Sequence, residues 1–175
     1  MVKGLIENDA KNIIQKFSKK NSVTDFHTLY SALCILLFKY SQQNEIVIGV
    51  PVANRNIKEF QDTLGLFLNT LPFKTKIDPE STFQEMVSSV KDQTNKNLTH
   101  QHTPLDKIIS SLDLEQRLDI SPLFQVLFVF QNIPSLYSFE DIKIDPFKVD
   151  IGRTKNDLNI WIEPLEDTYL ITLFA

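Results

Sequence analysis

Residues 123–130, LFQVLFVF, are the most apolar run of strand-like length in this sequence. Phenylalanine and valine favour extended backbone, and a strand with large apolar side chains on both faces has to be covered on both faces. The run therefore predicts a central strand of a layered fold. Residues 73–77, which alternate apolar and polar, predict a half-exposed strand, and residues 158–162 and 169–174 predict two strands joined as a hairpin.

The segments outside these strands carry apolar residues at helical spacing, and a helix is predicted in each of residues 9–19, 24–40, 82–99 and 105–112. The expected N-caps of the three longer helices are Asp9, Thr24 and either Ser81 or Thr82. The fold class that follows is α/β, with a mixed β-sheet covered by helices on at least one face. At 175 residues the chain is expected to form a single domain, residues 1–175.

Composition excludes several classes of function. The chain carries 18 basic and 22 acidic residues, a net charge of −4, without the basic block that nucleic-acid binding requires. Cys34 is the one cysteine, so no internal disulfide forms, and its apolar surroundings predict a buried thiol. The longest apolar run, residues 32–38, is too short to span a membrane, and the first residues lack a signal-peptide pattern. We expect a soluble, cytoplasmic protein.

Residues 46–72 place polar side chains among large apolar ones. The run Ile46-Val47-Ile48 predicts a buried strand that runs into a turn at Gly49 and Pro51. A polar loop follows, and then an apolar stretch, residues 64–68, stops at Asn69-Thr70. Two interpretations are open: a polar position aimed into a cleft, or an Asx-type turn that caps a strand.

The usual signatures of catalysis are missing from the residues. The sequence has no Gly-x-Ser-x-Gly elbow, and its four glycines form neither a Walker nor a Rossmann fingerprint. His27 falls in the first turn of a predicted helix, where we expect a partly exposed residue rather than a catalyst. His100 and His102 form a pair with Asp106 nearby, but the pair lies where a helix ends, and we predict no metal site.

Four segments, in this order and spacing, resemble the condensation domains of nonribosomal peptide synthetases. Residues 46–56, IVIGVPVANRN, are similar to that family's IVxGxPxAxRN, and residues 64–72, LGLFLNTLP, to its IGxFVNTLP. Residues 100–106, HQHTPLD, resemble HQDxPFE, and residues 121–132, SPLFQVLFVFQN, resemble NPLFQVxFxxQN. Lys155-Asn156-Asp157-Leu158 also falls where the family carries KFDL. The resemblance covers nearly the whole chain.

The sequence departs from the family at several of these positions. His102 stands where the family has Asp, Leu105 where it has Phe, and Asp106 where it has Glu; residues 116–123, QRLDISPL, are a degraded RDxSRNPL. The family's catalytic His-His-x-x-x-Asp-Gly motif, which belongs to its N-terminal lobe, does not occur in the sequence. The resemblance therefore implies the C-terminal lobe alone, one of two chloramphenicol-acetyltransferase-like lobes that enclose a cleft.

The resemblance also implies a role for particular residues. Asn69 matches the family's Asn that approaches the reaction centre, where its amide would hydrogen-bond the substrate or intermediate carbonyl. Arg55 is expected to order its loop, to pair with a carboxylate of the other lobe, or to be a solvated loop residue. The candidate residues are of two kinds: Arg55, Gly65, Asn69 and Thr70 in the substrate cleft, and His100, Gln101, Asp106 and Pro122 as structural motif residues.

Three hypotheses for function follow. In the first, the chain is a lobe that is inactive alone and forms amide bonds only with its N-terminal lobe. Its substrates would arrive on the phosphopantetheine arms of carrier domains, with no cofactor bound directly and an adenylation domain adjacent. In the second, the chain is a stand-alone docking module for carrier proteins. In the third, it is a small acyltransferase with His100 or His102 as base.

Overall fold

The computed structural model describes residues 1–112, 120–132, 138–139, 142–143 and 154–175 of the chain. Strands alternate with single helices or pairs of helices in the first 130 residues, and the elements described after them are all strands. In chain order the elements are β1 (Val2–Ile6), α1 (Asn8–Lys20), α2 (Asp25–Ser41), β2 (Glu45–Val52), α3 (Lys58–Gln61), β3 (Asn69–Lys76), α4 (Phe83–Thr99), α5 (Leu105–Ser111), β4 (Val126–Phe130), β5 (Ser138–Phe139), β6 (Ile142–Lys143), β7 (Leu158–Pro164) and β8 (Tyr169–Phe174).

A six-stranded mixed sheet has the strand order β1-β8-β7-β4-β2-β3, and β5 pairs with β6 separately. Strand β4 pairs in parallel with both β2 and β7, whereas the other neighbours in the sheet are antiparallel. Phe128 and Val129 point to opposite faces of β4 and are both buried, which confirms the predicted central strand. The predicted hairpin is confirmed as β7 and β8. The fold class is α/β, as expected.

Two of the predicted helix caps are confirmed. Thr24 Oγ1 accepts the N–H of His27 at 3.4 Å, and His27 Nδ1 accepts the N–H of Thr24 at 3.0 Å. Thr82 and Glu85 form the same reciprocal arrangement at the start of α4, where the bonds to Thr82 hold the pKa of the Glu85 carboxyl below its usual value. These capping boxes satisfy backbone donors that a helix start leaves free.

The prediction for the cap of α1 was wrong. The helix begins at Asn8, and Glu7 occupies the N-cap without a side-chain hydrogen bond, while its carbonyl accepts the N–H of Lys11 at 2.9 Å. Asp9 lies within the first turn instead. Its carboxylate there is favourably placed against the positive end of the helix dipole, so an acidic residue near the start did not mark the cap itself.

The core lies between the sheet and the helices α2 and α4. Tyr30 of α2 contacts Phe73 of β3 and Phe128 of β4, with ring centroids 5.9 and 5.7 Å apart. All three rings are fully or almost fully buried, as is Cys34 one turn further along α2. This confirms the buried thiol, and burial raises the pKa of Cys34 to about 12. Apolar burial of this kind is the main stabilising term of the fold.

The turn predicted at Gly49 and Pro51 was wrong, because β2 continues through both residues to Val52. Pro51 has no N–H, yet it is accommodated since the parallel pairing of β2 with β4 involves only Ile48 and Gly49. On the other side β2 pairs with β3 along its whole length, and Pro72 of β3 lies on the edge strand, where proline is tolerated. The half-exposed strand predicted at residues 73–77 is confirmed for residues 73–76 as part of β3, which ends at Lys76.

Two further expectations differ from the structure. His27 is buried, at 8% exposed, because it supplies the ring nitrogen of the capping box instead of facing solvent. Strand β1 was not predicted at all: its residues are mostly exposed, and its conformation depends on pairing with β8 at the far end of the chain.

Much of the predicted loop region between residues 131 and 157 lies outside the described residues. No helix in the described segments is both long enough and apolar enough to cross a membrane.

Candidate functional site

The topology places three of the resembling motifs at one corner of the sheet. Val52, the last residue of β2, pairs with Asn69, the first residue of β3. The loop between them therefore begins and ends at neighbouring residues of the sheet. The connection between α4 and α5, residues 100–104, lies against this same point. We call Asn69, residues 53–68 and residues 100–104 together the Asn69 corner.

Asn69 joins two parts of this corner through its side-chain amide. Its Nδ2 donates to the backbone carbonyls of Gln101 at 2.9 Å and Thr103 at 2.8 Å, and its Oδ1 accepts the N–H of Thr70 at 2.9 Å. The side chain is half-buried. The expected contact with a substrate carbonyl stays a prediction, and both N–H groups that it would use already donate within the chain.

Arg55 organises the loop before β3. Its guanidinium donates to the backbone carbonyls of Phe60, Thr63 and Gly65, the last two at 2.8 and 2.9 Å. The same group lies over the ring of Phe67, 4.4 Å from the centroid. A planar guanidinium with several fixed donors suits this bridging of separate carbonyls, which is the loop-ordering role considered for Arg55.

Gly65 has a backbone conformation that few other residues adopt, with φ +153°. A Cβ added there would lie 3.2 Å from the ring of Phe67, so the tight loop requires glycine at this position. On either side of it Leu64, Leu66 and Leu68 point outward and are 99%, 91% and 59% exposed. We call these three residues the leucine ridge.

Pro122 belongs to a tight turn that leads into β4. Its carbonyl accepts the N–H of Phe124 at 3.0 Å, and Leu123 between them has φ +71°. The turn places the Phe124 ring on Gly49 of β2, where an added Cβ would lie only 2.4 Å from a ring atom. Two of the motifs that resemble the family, residues 46–56 and 121–132, therefore contact each other through a glycine that no larger residue can replace without a shift.

The two histidines lie on the outer side of the corner. His100 is the C-cap of α4, and both His100 and His102 are exposed, as is Asp106 in the first turn of α5. Within residues 1–112, 120–132 and 154–175, no three His, Cys, Asp or Glu side chains come together as metal ligands would. Thr70 is half-buried at the start of β3.

Comparison with known proteins decides the family. The model of the condensation domain family matches residues 2–173. This chain belongs to the condensation domain family. This chain is similar to a linear gramicidin synthase protein of Brevibacillus parabrevis, with 39% identity over 162 residues that make up 91% of this chain and 2% of that protein. A second linear gramicidin synthase protein of the same organism is 34% identical over 163 residues, which are 91% of this chain and 3% of that protein.

Solved structures agree on the fold. A four-domain nonribosomal peptide synthetase bound to AMP and glycine superposes with a TM-score of 0.87 at 20% identity, over 98% of this chain and 14% of that one. The condensation domain of the monacolin K polyketide synthase MokA superposes with a TM-score of 0.82 at 23% identity, over 99% of this chain and 41% of that one. The chain thus spans a small part of the synthetases it resembles and less than half of that solved condensation-domain chain.

Two features of the site were not predicted from the sequence: the leucine ridge and the contact of Gly49 with the Phe124 ring. The signal for the ridge is the alternation of Leu64, Leu66 and Leu68 with Gly65 and Phe67, which we interpreted as one apolar stretch. In the structure only Phe67 turns inward, to pack 5.1 Å from the Phe60 ring. The contact of Gly49 with Phe124 has no signal within one sequence, because the two residues lie far apart along the chain.

Proposed function

We propose that this condensation domain segment is the C-terminal lobe of a peptide-bond-forming domain and supplies one wall of its cleft. The observation that carries the proposal is the gathering of the family motifs at the Asn69 corner, where Arg55 and Asn69 hold two loops in place. The catalytic His-His-x-x-x-Asp-Gly motif would come from an N-terminal lobe, since it does not occur in these 175 residues.

The reaction would join two substrates held as thioesters on carrier domains, supplied by an adjacent adenylation domain. The amine of the acceptor attacks the thioester carbonyl of the donor, a C–N bond forms, and the C–S bond breaks to leave a thiol on the donor's phosphopantetheine arm. The amine loses one proton in this step and the thiolate gains one. Both arms would reach the corner through the cleft between the lobes.

The leucine ridge supports a second lobe at this position. Leu64 and Leu66 are almost fully exposed although the loop that carries them is held by three hydrogen bonds from Arg55. Burying an exposed leucine contributes about 1.5–3 kcal/mol, so a partner that covers the ridge gains a substantial apolar contact. The solved MokA condensation domain, of which this chain covers 41%, has ample further chain to provide such a partner.

Complementation tests the proposal. The chain is mixed with the upstream part of the matching condensation domain from the linear gramicidin synthase protein that is 39% identical to it. Donor and acceptor carrier domains, loaded with aminoacyl thioesters, are added. We expect carrier-bound dipeptide from the mixture and none from either part alone. The control is an upstream part in which the histidines of the catalytic motif are replaced by alanine.

The other outcomes of this experiment correspond to the other hypotheses. Carrier binding without dipeptide would favour a stand-alone docking module. Consumption of thioester by the isolated chain, abolished by His100→Ala with His102→Ala, would favour a small acyltransferase. Either result would exclude the proposed lobe function.

The leucine ridge has its own test within the mixture. Leu64→Asp with Leu66→Asp should weaken association with the upstream part by about a hundredfold, because two charges would replace two buried apolar side chains. The matched control is Leu36→Asp with Tyr40→Asp, which changes two exposed apolar residues on α2 and should leave association intact. Equal binding by the two variants would show that the ridge is not the contact.

A further inference from the structure

The side chain of Asn69 has no N–H left for a substrate. A primary amide offers two N–H donors and one acceptor oxygen. Both donors are used for the carbonyls of Gln101 and Thr103, and the oxygen accepts the N–H of Thr70. What remains is a single lone pair on Oδ1. The amide therefore acts as a hydrogen-bonded bridge between the start of β3 and the connection between α4 and α5.

The connection that this bridge holds, residues 100–104, is otherwise bonded to its own neighbourhood. The N–H of His100 donates to the carbonyl of Asn97 at 3.0 Å, and the N–H of Thr103 donates to the carbonyl of His100 at 3.0 Å. The two bonds from Asn69, in contrast, join residues 32 and 34 positions apart. They fasten the turn between α4 and α5 to the first residue of β3, which belongs to the sheet.

We propose that Asn69 is a positioning residue that fixes residues 100–104 against the end of the β2–β3 pair, and with them the place of His100 and His102. Its effect on condensation then passes through this connection and not through a direct bond to the reacting carbonyl. The inference rests on the proposed function only in assuming that the Asn69 corner faces the substrates. The bridge itself is a property of the isolated chain.

The bridge is tested by hydrogen exchange on the isolated chain. Asn69→Asp keeps the size of the side chain but removes both donors. It also places a negatively charged carboxylate against two carbonyl oxygens, which repel it. Losing two bonds should make the amides of residues 100–103 exchange about tenfold faster or more, while those of β2 and β4 keep their protection. Asn69→Ala should act in the same direction without the added charge.

Two control variants make this result specific. Gln101→Ala removes the side chain but keeps the backbone carbonyl that Asn69 contacts, so amide exchange in residues 100–103 should stay at the parental rate. Asn95→Asp makes the same charge change at an exposed position of α4 and should also have no effect on this segment. Parental exchange in both Asn69 variants would overturn the proposal.

A spectroscopic and kinetic comparison separates positioning from direct contact. Asn69→Asp should shift the ring C–H resonances of His100 and His102 in NMR spectra of the isolated chain. In the complemented domain it should lower kcat about tenfold or more, with a smaller change in KM. Lower kcat with parental exchange and parental histidine resonances would instead assign Asn69 to direct contact. Failure of the parental mixture to form dipeptide would count against the proposed function and leave the exchange result standing.

Discussion

The core beneath α2 and α4 and the Asn69 corner are held together by different interactions. In the core, the rings of Tyr30, Phe73 and Phe128 are buried, and Tyr30 contacts both phenylalanines. At the corner, Arg55 and Asn69 each donate to backbone carbonyls of a loop, while three leucines face solvent. Folding stability and the geometry of the site therefore depend on separate residues and should be separable by mutation.

The largest effect on stability is expected from the core. Phe128→Ala removes a ring that is fully buried and should lower the free energy of unfolding by about 4 kcal/mol. Urea unfolding followed by circular dichroism measures this change. Leu64→Ala, at a residue 99% exposed, is the comparison and should change the same quantity by less than about 0.5 kcal/mol. Similar losses from the two variants would refute the division between core and corner.

An intermediate effect is expected where the sheet meets the turn before β4. Gly49→Ala places a Cβ 2.4 Å from the Phe124 ring and should cost about 2 kcal/mol of unfolding free energy. Because Phe124 is the obstacle, Phe124→Leu in the same chain should recover part of the loss. A double variant whose loss equals the sum of the single losses would mean that the two residues do not interact.

A smaller effect on stability, with a clear effect on local order, is expected from Arg55→Lys. Lysine keeps the charge but cannot bridge separate carbonyls as the guanidinium does. Cleavage by a protease within residues 57–66 should become about tenfold faster, while the free energy of unfolding changes by about 1 kcal/mol or less. Lys58→Arg, at an exposed neighbour, is the control. An unchanged cleavage rate would show that Arg55 does not order the loop.

The smallest expected effect depends on pH. Burial lowers the pKa of His27 below its usual 6.5, and the charge of Lys91 acts in the same direction. Between the lowered pKa and 6.5 the unfolded state binds more protons than the folded state, so the free energy of unfolding falls as the pH falls through this range. Protonation also removes the lone pair at Nδ1 that accepts the N–H of Thr24.

His27→Gln sharpens this prediction, because a glutamine oxygen can accept the same N–H in a capping box without titrating. Urea unfolding of both proteins at several pH values between about 5 and 8 covers the range in which histidine changes charge. The variant should show a shallower decline of stability toward acid. Identical slopes would assign the pH dependence to other groups.

Local signals in the sequence predicted much of the fold. Thr24, and either Ser81 or Thr82, were recognised as caps because short polar side chains precede the apolar residues at helical spacing in both helices. The residues that complete the two capping boxes, His27 and Glu85, were not predicted. The central strand was recognised because burial on both faces requires a continuous apolar run. The hairpin of β7 and β8 was recognised because its two strands lie close together along the chain. Features of this kind depend on neighbours along the chain.

Long-range pairing produced the errors that concern the sheet. Strand β1 has little apolar pattern of its own, and Pro51 remains in β2 because of where the pairing with β4 stops. The sequence identified residues of the candidate site but did not predict how those residues are arranged in space. Asn69 was chosen through the family resemblance, whereas its bonds to residues 32 and 34 positions away depend on a turn whose placement no local pattern specifies.

The pairing of β1 with β8 has a consequence for synthesis on the ribosome. Val2 pairs with Leu173, and Ile6 with Tyr169, so β1 lies against β8, the last of the six strands of this sheet in chain order. Until β8 has left the exit tunnel, β1 has no partner in the sheet and its backbone donors and acceptors stay open. Pairing of β1 with β8 therefore comes after the other strands of the sheet have been made, and β1 stays unpaired in the nascent chain until then.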